Sequence, residues 1–364
     1  MIGGKEMSKD IYGEFYSPVK LISTNKPYLF SLGVRSSGKS TGWLIHLLRE
    51  FMRDGKQFIY LRRDKEELDA TAEHAFDNAV LIYNSYYKDN DKGGKFPQIE
   101  SFEYRKQTYT INGNVAGYGM SLSTQQKAKS LPLSGVWWIL YDEFLISKAG
   151  GRYLGGKDNL FKECEALMSL FITVDRGIDR PFRNELRCVC IGNNETYMSP
   201  IFMRMGIDKY LTKESKFINP KDTGWALEQT FAVNALKDSK HSNAFLLSSD
   251  YNKQYSFGGG VFDETFIGKP DCAIFPMCNV KYNDNMYGLA QTADGGMFVS
   301  CKPYNVSVTL ALTGPDHAPN YQLCKEWRNS YFLVSLRESI QRGRIWYETQ
   351  RCKYAIETFY AYDK

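Results

Sequence analysis

The chain has 364 residues, 43% of them hydrophobic, with a formal net charge of +5. That size and apolar content fit a globular protein of two or three domains with sizeable cores, and the mild positive charge is compatible with a nucleic-acid partner. No apolar run approaches the roughly 18 residues of a membrane-spanning helix, and the polar start from Met1 to Phe15 carries no secretory signal, so the protein is expected inside the cell.

Tyr28-Leu29-Phe30-Ser31-Leu32 reads as a buried strand. It leads into Gly33-Val34-Arg35-Ser36-Ser37-Gly38-Lys39-Ser40, a complete phosphate-binding loop of the form G-x-x-x-x-G-K-[ST]. Gly33 and Gly38 permit a tight turn whose backbone N–H groups face a nucleotide's phosphates. Lys39 is expected to reach the β- and γ-phosphates, and Ser40 to offer its hydroxyl to Mg²⁺. Ser40 to Phe51 then places Trp43, Leu44, Leu47, Leu48 and Phe51 at helical spacing. Lys88 to Lys95 is polar and glycine-bearing and reads as a loop. Phe102–Thr110 and Val115–Met120 flank Asn112-Gly113, which predicts a hairpin.

Val136-Trp137-Trp138-Ile139-Leu140-Tyr141 is a short apolar run ending in Asp142-Glu143. This is the Walker B pattern, with Asp142 as a Mg²⁺ ligand and Glu143 placed to orient and polarise the attacking water. Lys162 to Thr173 reads as a helix with Cys164, Leu167, Met168 and Phe171 on one side. Arg176, Arg180, Arg183 and Arg187 follow. One of them could act as an arginine finger on a neighbouring subunit, or together they could form a solvated basic rim. Arg187 to Ile191 is strand-like and ends in Gly192-Asn193-Asn194. Asn193 is the candidate γ-phosphate sensor, with a plain turn asparagine as the alternative. The alternation over residues 28–193 predicts an α/β, P-loop ATPase domain of the catalytic-glutamate type, its mainly parallel sheet covered by helices on both faces.

From Lys213 the chain turns polar, then shows short apolar pieces such as Phe245-Leu246-Leu247 and the triplet Gly258-Gly259-Gly260. This reads as a linker or lid. Strand-like segments resume at Ala273–Phe275, Tyr287–Gln291, Met297–Cys301 and Val306–Leu312, with a turn at Ala293-Asp294-Gly295-Gly296. A helix-like tail spans Tyr321 to Tyr354. The expected domains are therefore 1–212, 213–270 and 271–364. The eight cysteines form no C-x-x-C pair and are expected as reduced thiols; the four histidines have no ligand spacing.

In combination these features resemble the encapsidation ATPases of small tailed phages with protein-primed genomes, the phi29-like packaging motors. The matching stretches fall in order along most of the chain. They are the phosphate loop, Gln57 to Lys65 (Q-F-I-Y-L-R-R-D-K), and Ala116 to Thr124 with Lys129. Tyr141 to Phe144, Glu165 to Met168 with Thr173 to Arg176, and Arg187 to Asn193 complete the set. The resemblance implies a homo-oligomeric ring, pentameric in the family. Such a ring uses ATP with Mg²⁺ to drive double-stranded DNA into a preformed procapsid at the portal, with no membrane; either a packaging RNA or the portal alone docks the C-terminal part. It implies action in the host cytoplasm during virion assembly and absence from the mature virion. Arg176 matches the arginine that acts in trans on the next subunit's nucleotide. Lys129 matches a lysine acting between subunits, and Arg35 a basic residue within the loop.

The C-terminal part is then expected to be an α+β, RNase H-like domain without nuclease carboxylates, since Tyr287–Gln291 offers none and Asp294 lies in a turn. A large terminase with an active nuclease is the alternative, its acids drawn from Asp271, Asp284, Asp316, Glu326 and Glu338. Another ring translocase or helicase of the same superfamily also fits. A purely structural, nucleotide-gated scaffold would not need Glu143.

Overall fold

In a computed structural model of the chain, the described residues are 11–13, 16–33, 37–91, 93–146, 153–154, 161–176, 185–193, 199–211, 215–230, 267–282, 285–311, 317–324, 329–349 and 351–356. They divide into two compact units, one ending with the strand at Trp225–Thr230 and the other holding the elements from Ile274 onward.

The first unit begins with α1 (Val19–Ile22), β1 (Tyr28–Gly33), α2 (Lys39–Asp54) and β2 (Gln57–Arg62). After α3 (Lys65–Thr71) and α4 (Asp77–Asn90) come β3 (Phe102–Arg105), β4 (Thr108–Ile111), β5 (Asn114–Ser121) and β6 (Val136–Asp142). The unit closes with α5 (Lys162–Asp175), β7 (Arg187–Asn193), α6 (Pro200–Met205), β8 (Phe217–Ile218) and β9 (Trp225–Thr230). Its nine strands form one sheet in the order β3-β4-β5-β2-β6-β7-β1-β9-β8. The strands from β5 through β9 in that order are parallel, and antiparallel β3, β4 and β8 flank them.

The central strands are apolar on both faces because both faces are covered. Leu29, Phe58, Tyr60, Trp138, Leu140, Val189 and Ile191 join the core under α2 and α4. Their neighbours Phe30, Ile59, Leu61, Ile139, Tyr141, Cys188 and Cys190 join the opposite core with residues of α5 and α6. Period-two alternation along each strand thus feeds two cores from one continuous apolar run. Cys164 and Leu167 of α5 are buried as expected, but Met168 is 42% exposed and does not enter that core.

The hairpin at Asn112-Gly113 forms between β4 and β5, with both residues at positive φ (49° and 78°). Positive φ at both central residues is what a tight two-residue hairpin requires, and Asn-Gly supplies it at little cost. The single strand expected over Phe102–Thr110 is instead broken by a second turn at Lys106-Gln107, also at positive φ (49° and 63°). No glycine or asparagine marks that turn, so its local sequence hides it. Residues 217–230, expected in a linker, supply β8 and β9. β9 pairs in parallel with β1 from Tyr28↔Trp225 to Gly33↔Thr230, and Trp225, Ala226 and Leu227 are buried there. The stretch containing Phe245 and Gly258 lies outside the described residues.

The second unit holds a six-stranded sheet. It comprises β10 (Ile274–Tyr282), β11 (Asn285–Thr292), β12 (Met297–Ser300), β13 (Thr309–Ala311), β14 (Gln322–Leu323) and β15 (Ile345–Tyr347). One helix, α7 (Tyr331–Gln341), stands between β14 and β15, with the Ser330 hydroxyl accepting the Leu333 N–H at its start. The continuous helical tail expected over Tyr321–Tyr354 is therefore corrected. Gly343, at φ 62°, follows the end of α7, and the β-branched and aromatic run Ile345-Trp346-Tyr347 pairs with β12 instead. Cys301 and Cys352 are joined as a disulfide, with Cα atoms 5.9 Å apart, where reduced thiols were expected. The other six cysteines form no disulfide.

Gly42 in α2 tests the packing of the first unit. A Cβ there would lie 2.0 Å from the Tyr16 carbonyl oxygen, a backbone atom that cannot rotate away. Alanine gains about 1 kcal/mol of helix propensity over glycine, but overpacking costs about 1–3 kcal/mol and here displaces backbone. Gly42→Ala is expected to lower the midpoint of thermal unfolding; an unchanged or raised midpoint would show that the segment around Tyr16 yields freely.

Candidate nucleotide-binding site

The parallel strands deliver their last residues to one edge, which is where open α/β sheets bind ligands. Gly33 ends β1 in register with Asn193 of β7 and Thr230 of β9. A Cβ on Gly33 would lie 2.1 Å from Thr230 Oγ1, so glycine is required for this close approach. Gly38, at φ 75°, then reverses the chain into α2, whose first residues are Lys39 and Ser40. Val34, Arg35 and Ser36 lie outside the described residues.

Lys39 is buried, and its Nζ donates to Ser37 Oγ at 3.0 Å. Burial lowers its pKa to about 8, against the opposing attraction of Asp142. Ser40 Oγ donates to Asp142 Oδ1 at 3.1 Å. The loop and the end of β6 therefore meet, although β7 separates β1 from β6 in the sheet. Asp142 is largely withdrawn from water (13% side-chain exposure), and this desolvation pushes its carboxyl above the usual range, while the guanidinium of Arg62 pulls in the other direction.

β2 supplies partners that the motif reading did not single out. Its register aligns Leu61 with Tyr141, so Arg62 emerges beside Asp142. Arg62 Nη1 donates to Asp142 Oδ2 at 3.2 Å and Nη2 to Glu143 Oε2 at 2.8 Å; the Tyr60 hydroxyl also donates to Asp142 Oδ2, at 3.2 Å. A signal was present: an apolar strand ending in two arginines places charge where it must be buried. Glu143 leaves its side chain 59% exposed and its backbone at φ 56°. That left-handed conformation costs a non-glycine residue about 1–3 kcal/mol and persists only where surrounding structure imposes it. The following residue, Phe144, donates its N–H to Ile191 O at 3.1 Å.

Asn193 is half-buried at the end of β7, beside Gly33. Arg176 is exposed and caps the C-terminus of α5. Lys129 is exposed on a 3₁₀ segment, Leu122–Ser130, that packs against α5. The two residues expected to act between subunits thus sit on touching elements. Arg187 is otherwise engaged, donating to Ile22 O at 2.9 Å and Asn25 Oδ1 at 2.8 Å and lying over the Trp138 ring. Arg180 and Arg183 lie outside the described residues.

The sequence profile of the Podovirus DNA encapsidation protein (Gp16) family matches residues 7–362. The chain belongs to this family. It is 24% identical over 339 residues to the DNA packaging protein of Bacillus phage phi29, covering 92% of this chain and 94% of that protein. It is 29% identical over 187 residues to the DNA packaging protein of Bacillus phage B103, covering 51% of this chain and 50% of that one. Its fold is similar to a chain of the bacteriophage Phi-29 viral genome packaging motor assembly, with a TM-score of 0.69 at 21% identity over 96% of this chain and 100% of the other. A chain of the Phi-28 gp11 DNA packaging motor gives a TM-score of 0.65 at 17% identity over 96% and 98%. These likenesses establish a shared α/β architecture with the family's motor proteins.

Arg62 is nearly buried (7% side-chain exposure) and bridges two carboxylates. Arg62→Ala is expected to destabilise the first unit by about 3–5 kcal/mol, the cost of stranding a buried charge. Arg62→Lys is expected to recover less than half of that, because a single ammonium cannot fork between Asp142 and Glu143. Chemical denaturation measures both; equal stability of all three proteins would refute the bridging role.

Proposed function

We propose that the protein is a ring-forming, Mg²⁺-dependent ATPase that drives double-stranded DNA into a preformed procapsid. The observation that carries this reading is the convergence of Lys39, Ser40, Asp142 and Glu143 at one sheet edge in a member of a DNA encapsidation family. The relatives' own descriptions as DNA packaging proteins and packaging motors support it.

In this reading the backbone of Gly33–Ser40, including Val34, Arg35, Ser36, Ser37 and Gly38, wraps the phosphates and Lys39 binds the β- and γ-phosphates. The donors present fit Mg²⁺: a hydroxyl and a carboxylate, 3.1 Å apart on Ser40 and Asp142, are hard oxygen ligands beside a phosphate loop. When bound, the ion neutralises charge on the β- and γ-oxygens. Arg62 favours the ionised form of Asp142 despite its burial. Glu143, with its carboxylate largely exposed, orients the attacking water and accepts its proton. Asn193, at the end of β7 beside the loop, senses the γ-phosphate. Arg176 of an adjacent subunit completes the site, with Lys129 on the neighbouring element contributing across the same boundary. Hydrolysis then depends on assembly.

The oligomer proposed is a pentameric ring docked at the portal, directly or through a packaging RNA, acting in the host cytoplasm. Among the described residues no helix is long and apolar enough to cross a membrane. DNA is gripped chiefly through its phosphates, because a packaging motor must move every sequence.

The second unit is proposed to be RNase H-like and without nuclease activity. In support, β10, β11 and β12 run antiparallel, and β13 and β14 are added parallel to β10 on its other side. The strand Tyr287–Gln291 carries no carboxylate. Asp294 serves its own turn, accepting the Gly296 N–H at 3.3 Å and the Thr292 hydroxyl. Glu338 pairs with Arg342 at 3.6 Å on the surface of α7. Asp284, Asp316 and Glu326 lie outside the described residues.

Glu143→Gln is expected to bind ATP within a few-fold of the unsubstituted protein yet lose at least about 10²-fold in turnover, since an amide hydrogen-bonds but accepts no proton. Lys39→Ala is expected to lose binding itself. Steady-state hydrolysis and binding of a fluorescent ATP analogue separate the two, and undiminished turnover by Glu143→Gln would remove it from the mechanism.

Arg176→Ala is expected to bind ATP and fail in hydrolysis, with a loss of roughly 10³–10⁵-fold if the arginine acts as a finger. Mixing Arg176→Ala with Glu143→Gln protein decides whether it acts in trans. Some mixed interfaces then pair an intact glutamate with an intact arginine, and turnover partly returns. No recovery at any mixing ratio would place Arg176 outside the neighbour's site.

A further inference from the structure

β2 runs into two consecutive arginines, and they serve different partners. Arg62 holds the two carboxylates. Arg63, whose side chain is only 5% exposed, turns toward α5 instead. Its Nε donates to Glu163 Oε2 at 3.1 Å, and its Nη2 donates to the backbone carbonyls of Glu143 at 3.2 Å and Phe144 at 2.6 Å. Glu163 has no exposed side-chain surface. Besides Arg63 it accepts the Tyr141 hydroxyl at 2.6 Å and the Leu154 N–H at 2.9 Å. One buried ion pair therefore spans from the first turn of α5 to the two carbonyls that follow the Cα of Glu143.

Three features say that this pair does more than fill space. A buried ion pair is in general no better for stability than apolar groups of the same volume, so its presence calls for a reason beyond packing. Glu143 stands in a left-handed backbone conformation that neighbours must impose. Apart from the Phe144 N–H bond to Ile191, the Arg63 contacts are the hydrogen bonds described on the peptide groups just after it. The Arg63 carbonyl, in turn, accepts the Ser123 N–H at 3.0 Å, at the start of the segment that carries Lys129.

We propose that Arg63 and Glu163 are positioning residues for hydrolysis. The pair fixes the backbone from which the Glu143 side chain projects and ties that backbone to α5, the helix capped by Arg176. The proposal rests on the reading of Glu143 as the water-activating base. It predicts that breaking the pair impairs the chemical step through Glu143 while leaving the phosphate loop, with Lys39 and Ser40, intact.

The test uses the whole 364-residue chain and MgATP. Glu163→Gln keeps the shape and the acceptor oxygen but removes the charge that orients Arg63. The expected result is a kcat lower by roughly 10–100-fold, the usual cost of losing a supporting partner. Affinity for a non-hydrolysable ATP analogue should change by less than about threefold. In single-turnover measurements on the Glu143→Gln background, adding Glu163→Gln should slow the residual rate by less than about twofold, because residues that act as a unit are not additive. A merely structural role would instead reduce binding stoichiometry and slow both backgrounds alike. Equal fold losses in the two backgrounds, or an unchanged kcat in folded Glu163→Gln, overturns the proposal alone. Full turnover by Glu143→Gln by itself overturns the assignment of Glu143 and the proposal together. If Glu163→Gln does not fold, Arg63→Lys is measured in the same way, since it keeps the charge facing Glu163 but cannot reach the two carbonyls at once.

Discussion

A carboxylate largely withdrawn from water at the end of a central strand needs a cation, and the site is arranged around that need. Asp142 lies between β2 and β7 at the last residue of β6, where water cannot solvate it fully. Arg62, Tyr60 and Ser40 each bring a donor to it. Ser40 belongs to the phosphate loop, so the same carboxylate that must be compensated also locks the loop's first helical turn against β6. Glu143 is drawn in by the second arm of the same guanidinium. In the proposed cycle, nucleotide and its metal enter a site whose acidic ligands already share a cation from the protein itself.

The sheet order explains how these groups can meet. With β7 inserted between β1 and β6, the ends of those two strands stand two strands apart, a gap that Ser40 at the start of α2 bridges by donating to Asp142. Asn193 at the end of β7 occupies the middle of that gap and faces Gly33 in register. β9 on the other side of β1 seals the base of the loop through Thr230, which donates to Leu32 O at 2.9 Å. Parallel strands covered on both faces make this possible, because their ends converge while their lengths disappear into two separate cores.

The end of β2 links the two halves of the proposed chemistry. Arg62 touches the groups that would act on the subunit's own nucleotide. Arg63 reaches α5, the helix that presents Arg176 at its exposed end. Arg62 ends β2 and Arg63 is the next residue, and their side chains leave the strand end toward different partners, so the two regions are connected with no intervening loop. An assembled ring needs some such link if events at a boundary between subunits are to govern hydrolysis within one of them.

Local chemistry was legible in the sequence. The phosphate loop, the apolar run ending in Asp142-Glu143 and the hairpin at Asn112-Gly113 are written in neighbouring residues, because each depends on backbone freedom or side-chain type at fixed short spacing. The alternation of strands and helices over residues 28–193 likewise announced a parallel sheet. Contacts between distant segments were not legible. Glu163 meets Arg63 across 100 positions, Arg62 meets Asp142 across 80, and Cys301 meets Cys352 across 51. The turn at Lys106-Gln107 carries no turn-forming residue, and β8 and β9 are short strands whose membership in the sheet only β1 could decide. The sequence by itself named the candidate groups for binding phosphate and activating water. The tertiary structure decided which charges are buried, and therefore which distant partners had to be brought to them.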